Sequence, residues 1–215
     1  MFTPSLLFRR VLLATTSLGL ILPNAAQAQE QGAPPARVGQ VAQVLGDVSF
    51  NGAGSNGRWV PATLNYPLRS GDSLFTQPGA QAAIALGSSR LVLNANTELQ
   101  ITGLNEDNFS ATESQGEVFL ALNDLAPSQN FTLRTPSGPV TIDEDGEYAV
   151  TAGTAGNPAS IAVLAGEASA GPTRINAGEE AYLYPNGQSQ IGPVAQDGFI
   201  NQALAEMAAP QPPYV

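Results

Sequence analysis

Cysteine, histidine and lysine are all missing from this chain of 215 residues, and each absence excludes a kind of chemistry. Without cysteine there is no disulfide, no thiolate nucleophile or metal ligand, and no lipidated N-terminal cysteine. Without histidine the usual general base and the most common transition-metal ligand are lost. Without lysine there is no Schiff base and no phosphate-binding loop. An enzyme of this composition would have to be a two-carboxylate hydrolase.

Long hydrophobic runs are also scarce, and the one near the N-terminus is short. Arg9 and Arg10 precede an uncharged apolar stretch over residues 11–22, and Ala26-Gln27-Ala28 follows as a small-x-small cleavage site. The stretch falls short of the ~20 residues that span a bilayer. We predict a cleaved signal peptide over residues 1–28, a periplasmic or secreted protein, and no transmembrane segment after cleavage. An uncleaved anchor and twin-arginine export are the less favoured alternatives.

Positive charge is in short supply. The chain has 18 acidic residues against eight basic ones, a net charge of −10. All 18 acids follow residue 28, whereas two arginines precede it, so the mature chain would carry six arginines and a net charge of −12. Such a surface repels phosphate backbones and anionic lipid headgroups, so we expect no nucleic-acid partner.

What the chain does have is a succession of short alternating apolar runs from residue 38 onwards. Runs of this length, recurring about every 8–12 residues, are typical of sandwiches, barrels and β-solenoids. Residues 29–37 are polar and read as a disordered lead-in. We predict one all-β domain over residues 38–195, built as an irregular β-sandwich or a β-solenoid-like stack of short strands.

Helical periodicity is confined to the C-terminal part, where we predict one short helix and a Pro-rich tail over residues 196–215. Phe199, Ala203, Leu204 and Met207 recur at helical spacing, and Asp197 is placed to cap the helix. The prolines that follow end the helix.

Six Gly-acid dipeptides open many of the alternating runs. A glycine that takes positive φ turns the chain, and a period of two then sends alternate side chains to one face. The acids fall opposite the apolar stripe, so we interpret them as solvated turn residues. Their irregular spacing argues against a strict solenoid repeat. The dipeptides are Gly46-Asp47, Gly71-Asp72, Gly116-Glu117, Gly146-Glu147, Gly166-Glu167 and Gly178-Glu179.

Three groups of residues are candidates for a binding or catalytic site. The acidic run over residues 143–147 could bind Ca²⁺, but its flanking strand signals favour an acidic hairpin turn. Asp72 with Glu117 could form a glycosidase pair, although solvated turn acids explain both. Tyr182 and Tyr184 could stack on a sugar, yet alternating aromatics on a strand are more often packing. We assign no catalytic, cofactor-binding or metal-binding residue and expect no cofactor.

An ordered series of motifs runs through the chain. It begins in residues 58–76, RWVPATLNYPLRSGDSLFT, where we expect Trp59 to be a buried anchor. The later motifs are a hairpin over residues 80–93, Gln115-Gly116-Glu117-Val118, Thr135-Pro136, Gly146-Glu147-Tyr148 and Val163-Leu164-Ala165-Gly166-Glu167. Taken in this order, the series resembles the FecR-type periplasmic domain, and the resemblance extends over residues 38–184.

The resemblance implies an all-β domain outside the cytoplasmic membrane. The founding FecR regulators carry a cytoplasmic anti-sigma segment and one membrane span, and relay a signal from an outer-membrane iron-siderophore receptor. A cleavable signal is predicted here instead, so the chain is more similar to stand-alone exported FecR-like proteins. We expect a non-enzymatic module for protein interaction or envelope sensing, with another envelope protein as partner. A carbohydrate-binding or structural envelope protein is the alternative, and the oligomeric state is left open.

Overall fold

The computed structural model describes residues 39–105, 108–154, 156–195 and 197–208. The predicted signal peptide (1–28), the lead-in (29–37) and the Pro-rich tail from residue 209 lie outside the described residues. Within the described ranges the chain forms eighteen strands and one helix. In chain order they are β1 (Gly39–Leu45), β2 (Val48–Asn51), β3 (Val60–Pro61), β4 (Pro67–Leu68), β5 (Ser73–Thr76), β6 (Gln81–Leu86), β7 (Ser89–Leu93), β8 (Glu98–Leu104), β9 (Asn108–Gln115), β10 (Glu117–Leu122), β11 (Asn130–Thr135), β12 (Gly138–Ile142), β13 (Gly146–Thr151), β14 (Ala159–Ala165), β15 (Glu167–Ala170), β16 (Thr173–Asn176), β17 (Glu179–Leu183), β18 (Ser189–Pro193) and α1 (Gly198–Ala208).

The strands form two nine-stranded sheets. Sheet A has the order β18-β17-β14-β13-β10-β7-β6-β1-β4, and sheet B has the order β16-β15-β12-β11-β9-β8-β5-β2-β3. Strands β9 and β11 pair in parallel, whereas the other pairings of the described strands are antiparallel. The predicted hairpin over residues 80–93 is present as β6 and β7, joined at Gly87 and Ser88.

All six Gly-acid dipeptides lie where the chain leaves one sheet and enters the other. Gly116, for example, joins β9 of sheet B to β10 of sheet A, and Gly166 joins β14 of sheet A to β15 of sheet B. Five of the six glycines have positive φ, from +70° at Gly46 to +95° at Gly116. A hairpin would return the chain to the same sheet. These turns instead carry the chain from one sheet to the other, and we call them the corners of the sandwich.

A single apolar cluster fills the space between the sheets. Alternate residues of each strand point into it, as Val118 and Leu120 do from sheet A and Leu133 and Val140 do from sheet B. The centroids of the Phe109 and Phe131 rings lie 5.1 Å apart within sheet B. The prediction of an all-β fold with one short C-terminal helix is confirmed.

The outer faces of the two sheets differ. The outer face of sheet A carries Ala83, Val92 and Phe119, which pack with Phe199 and Ala203 of α1 in a second apolar cluster. The outer face of sheet B is polar, with residues such as Gln100 and Arg134 exposed. Helix α1 therefore covers the one outer face that needs an apolar cover.

The Asp197 carboxylate accepts hydrogen bonds from the backbone N–H groups of Phe199 and Ile200, at 2.6 and 3.2 Å, and is the predicted N-cap. No helix in the described ranges is both long and apolar enough to cross a membrane.

Candidate functional site

Asp72, weighed from the sequence as one half of a carboxylate pair, is a structural residue. It is 1% exposed, so the interpretation of this acid as a solvated turn residue is wrong. Its carboxylate accepts hydrogen bonds from the backbone N–H of Ala53 at 2.8 Å and of Arg69 at 3.0 Å. Burial is tolerated because both oxygens are bonded, and the result is that the loop after β2 is tied to the corner before β5.

The acidic run over residues 143–147 is a corner between sheets, and the prediction of a hairpin turn there is wrong. It joins β12 of sheet B to β13 of sheet A. Asp145 accepts hydrogen bonds from the backbone N–H groups of Asp124 and Leu125, at 3.0 and 2.9 Å, and so fixes the segment that follows β10. Within the described ranges no three acidic side chains are close enough together to hold a metal ion.

The acid cluster that sequence reasoning missed lies under the start of α1. Glu117 on β10 and Glu180 on β17 line a cavity of about 70 Å³ together with Asp197. Glu180 accepts a hydrogen bond from Ala195 N–H at 3.1 Å, and Asn94 donates one to Glu117 at 3.0 Å. Three carboxylates from distant parts of the sequence thus surround the segment that leads into the helix.

Burial is the main cause of the shifted acidity in this cluster. Desolvation, with the charges of Asp197 and Glu180, raises the pKa of Glu117 to about 7, against the lowering effect of the Asn94 hydrogen bond. Glu113 is fully buried on the inner face of β9, and burial together with the Glu117 charge raises its pKa well above the ordinary value. The alternation Phe109, Ala111, Glu113 was the available signal, since it continues the apolar stripe.

A raised carboxyl pKa is also what a general acid needs, so the surroundings of Glu117 matter. Glu117 borders an open depression of about 340 Å³, shared with Asn94, Thr151, Thr154 and Asn157. Glu117 is the one titratable side chain among the described residues that line this depression. The two-carboxylate hydrolysis that the composition leaves open requires a second carboxyl facing the same space.

The remaining predicted candidates do not form a site. Tyr182 and Tyr184 are half-buried, and only Tyr182 lies within a strand. A wide depression of about 710 Å³ is lined by Arg90, Asn123, Asp145, Glu147 and Met207 among others. Two of its charged groups are engaged within the protein: Arg90 donates to Gln43 at 2.8 Å, and Asp145 accepts backbone N–H groups.

Trp59 lies on the surface, beside the edge of sheet B that β3 forms. The prediction that it is a buried anchor is wrong, because its side chain is 40% exposed. It precedes the two-residue edge strand β3, and its ring meets the Phe75 ring edge-on, with centroids 6.4 Å apart. Phe50 and Tyr66, whose rings lie 4.5 Å apart, provide the aromatic packing at this end instead.

Four of the five large apolar side chains that are exposed in the described ranges belong to residues 45–64, the part of the chain around β2 and β3. We call them the Trp59 patch, made up of Leu45, Trp59, Val60 and Leu64. Trp59 and Val60 border an open groove of about 410 Å³, which Val44 and residues 46–49 also line. Isolated exposed apolar residues need no explanation, but an exposed tryptophan beside a groove is typical of a binding surface.

The groove beside the Trp59 patch is bordered by charges of both signs. Arg58, next to Trp59 in the chain, is exposed and forms no ion pair with any described residue, and the exposed Asp47 lines the groove. Between Asp47 and Asp72 the chain contains no acidic residue, and Asp72 is buried. An exposed arginine beside apolar side chains favours a partner that offers a carboxylate.

The strand edges at this end are closed to a further strand. β3 ends sheet B and β4 ends sheet A, each is two residues long, and each contains a proline, Pro61 and Pro67. A proline lacks the N–H that a neighbouring strand would bond. Binding at this end therefore depends on side chains.

The sequence matches no protein-family model and no curated protein. Two crystal structures of a candidate anti-sigma factor from Parabacteroides distasonis are similar to part of the chain, with TM-scores of 0.49 and 0.48 and sequence identities of 19% and 20%. Each similarity covers 56% of this chain and 59% of the length of that protein. A likeness at this level supports no statement about what the chain binds or does.

Proposed function

We propose that this chain is a non-enzymatic, exported FecR-like domain that serves as a protein-interaction or envelope-sensing module, with the Trp59 patch as its docking surface. The observation that carries the proposal is the exposure of four large apolar side chains within residues 45–64, with Trp59 and Val60 bordering a groove. Tryptophan and arginine are the residues most enriched among those that dominate binding energy.

The partner that this surface fits is another envelope protein with an apolar side chain beside a carboxylate. The groove beside Trp59 receives the apolar group, and Arg58, the exposed neighbour of Trp59 in the chain, pairs with the carboxylate. Arginine suits this role because its planar fork pairs with a carboxylate through two hydrogen bonds. Binding of this kind weakens as salt rises, since the rim charges are exposed.

Two observations support the non-enzymatic part of the proposal. Histidine, cysteine and lysine are missing, which leaves carboxylates as the main acid-base groups. Three of the carboxyls, Asp72, Asp145 and Glu180, accept backbone N–H groups and act as structural ties, and Glu117 faces its open depression without a second carboxyl.

Site-specific photo-crosslinking in the bacterial envelope tests the docking surface. A crosslinker placed at Leu64 should capture a defined partner, whereas one placed at Gln100, exposed on the outer face of sheet B, should not. Trp59→Ser should reduce capture from Leu64 by at least tenfold, with far-UV circular dichroism showing that the variant is folded at the temperature of the experiment. Equal capture from Leu64 and Gln100, or capture that survives Trp59→Ser, would contradict the proposal.

Export needs its own measurement. Cell fractionation should place the protein outside the cytoplasm, and mass spectrometry of the purified protein should find a mature N-terminus at Gln29. A cytoplasmic protein that retains residues 1–28 would overturn this part of the proposal and leave the docking surface to be judged separately.

A further inference from the structure

The edge of sheet A opposite the Trp59 patch is formed by β18, and it differs from the other three sheet edges. β3 and β4 are two residues long and contain a proline, and β16 carries the exposed Arg174. β18 has five residues, SQIGP, with no charge. Short length, proline and charge are the devices by which edge strands avoid pairing, and β18 has only the proline at its last position.

The hydrogen bonds of β18 to β17 show which of its backbone groups point outward. Tyr184 N–H bonds to Gln188 O at 2.9 Å, and Val194 N–H bonds to Gly178 O at 3.1 Å. Antiparallel bonding alternates from residue to residue, so Gln190 and Gly192 also bond inward to β17. The N–H and C=O groups of Ser189 and Ile191, and the C=O of Pro193, therefore point away from the sheet, where no described strand pairs with them.

Ile191 is a core-facing residue without a cover. Its partner in β17 is Ala181, which lies in the inter-sheet core, so Ile191 points to the inner face of sheet A. The Ser189 hydroxyl, on the same face, lies 2.9 Å from the Thr173 hydroxyl of sheet B. Ile191 is nevertheless 44% exposed, the fifth of the exposed large apolar side chains in the described ranges. A strand added beyond β18 would cover it.

We propose that two copies of this chain pair through β18 in antiparallel orientation, with Ile191 of one copy opposite Ile191 of the other, so that the two A sheets join into one. Ile191 is the central residue of β18, so a two-fold axis through it aligns each strand with itself. This pairing goes beyond the proposed docking function and does not rest on it.

The register explains why a second copy fits this edge. Each Ile191 N–H bonds to the Ile191 carbonyl of the other copy, and each Ser189 N–H bonds to the Pro193 carbonyl of the other copy. Pro193 is used only as an acceptor, so its missing N–H costs one bond at the end of the ladder, where the Ser189 carbonyl is free to bond water. Shifting either strand by two residues leaves some of these outward groups unmatched.

Charge and size set the strength of the pairing. A single strand pair buries less than the roughly 1,200 Å² of a standard interface, so the dimer is weak and its population depends on concentration. Both copies carry a net charge of −10 or below, and this repulsion opposes pairing at low salt. Because β18 itself is uncharged, we expect added salt to strengthen the dimer, the opposite of its effect on the Trp59 patch.

Single cysteines test the register, since the chain has none of its own. In a hydrogen-bonded antiparallel pair the Cα atoms lie about 5.5 Å apart, within the range that a disulfide spans. Under mild oxidation of the purified mature chain, Ile191→Cys should form disulfide-linked dimers at least tenfold faster than the matched control Leu64→Cys. The rate should rise between 50 mM and 500 mM salt.

A second variant tests pairing without a thiol. Ile191→Asp places two like charges opposite each other, so sedimentation equilibrium should show at least a tenfold weaker dimer than wild type, while Leu64→Asp should leave the dimer unchanged. The proposal is overturned if Ile191→Cys crosslinks no faster than Leu64→Cys. A thiol that is unreactive in a monomeric protein would also overturn it, because another segment of the same chain would then cover Ile191.

Discussion

Glu117 is a carboxyl whose protonation is coupled to folding. It lies on the outer face of sheet A with Phe119 and Ala121, beneath the segment that leads into α1. Its pKa of about 7 in the folded protein exceeds the ordinary value of 4.5 because burial and nearby carboxylates disfavour its charge. Between about pH 4.5 and about pH 7, the folded state therefore holds a proton on Glu117 more tightly than the unfolded chain does.

The sign of the resulting pH dependence follows from linkage. A carboxyl whose folded pKa is raised contributes its full stability below about pH 4.5, and loses it as the pH rises toward about 7. We expect the free energy of unfolding to fall from pH 5 to pH 8 in the wild type, and to fall less in Glu117→Gln. Glutamine keeps an acceptor for the Asn94 amide, so the comparison isolates the charge.

Urea unfolding at pH 5 and pH 8 measures this difference. Part of the decline should persist in Glu117→Gln because the pKa of Glu113 is also raised, although removal of the Glu117 charge removes one cause of that shift. Identical pH slopes for the two proteins would show that Glu117 is ionised in the folded state at pH 5. Glu179→Gln is a suitable control because bonds to Asn176 lower the pKa of Glu179, so this carboxyl titrates at lower pH and its replacement should leave the slope between pH 5 and pH 8 unchanged.

At the scale of elements, the corners between sheets restrict the residue type more than the strands do. Gly116 has φ of +95°, and a Cβ there would collide with the backbone and side chain of Thr97. The Thr97 hydroxyl also accepts a hydrogen bond from Glu117 N–H at 3.0 Å and donates one to Glu117 O at 3.1 Å. The corner thus combines a left-handed backbone with a close approach between β10 and the turn before β8.

A pair of glycine substitutions separates these two requirements. Gly54 has φ of +84° but open space where a Cβ would lie, so Gly54→Ala should cost only the conformational strain, about 1–2 kcal/mol. Gly116→Ala adds the collision with Thr97 and should cost at least about 2 kcal/mol more. Equal losses in thermal or urea unfolding would mean that the corner relaxes to accept the methyl group.

At the scale of the whole molecule, both sheets share one core, so they should unfold together. Leu120 points into that core from sheet A and Leu133 from sheet B, and both are fully buried. Each substitution by alanine should cost about 2–5 kcal/mol through lost burial and the cavity left behind. In both variants the far-UV signal of all strands and the fluorescence of Trp59, the single tryptophan, should change in one common transition.

Separate transitions would contradict this expectation. A fluorescence change that precedes the far-UV change in Leu133→Ala but not in Leu120→Ala would show that sheet B can open alone. The shared core would then not couple the two sheets, and the Trp59 patch would report local opening only.

The parts of the fold that were predictable depend on local pattern. Alternation in β10 and the helical spacing from Phe199 to Met207 indicated a strand and a helix because each period is a property of neighbouring residues. The Gly-acid dipeptides indicated turns correctly but not their kind, because a glycine with positive φ serves a hairpin and a corner equally well. The candidate surfaces were harder to predict from the sequence, and Trp59 was wrongly expected in the core.

By itself the amino-acid sequence determined which chemistry is excluded, where strands and the helix form, and where the chain turns, because these depend on residue type and short-range periodicity. Only the tertiary structure decided which side of each turn is buried, so Asp72 became an internal tie and Trp59 a surface residue. It also brought Glu117, Glu180 and Asp197 together and left Ile191 uncovered. These outcomes depend on which strands end up adjacent and which lie at an edge, and strand order is set by packing between residues far apart in the chain.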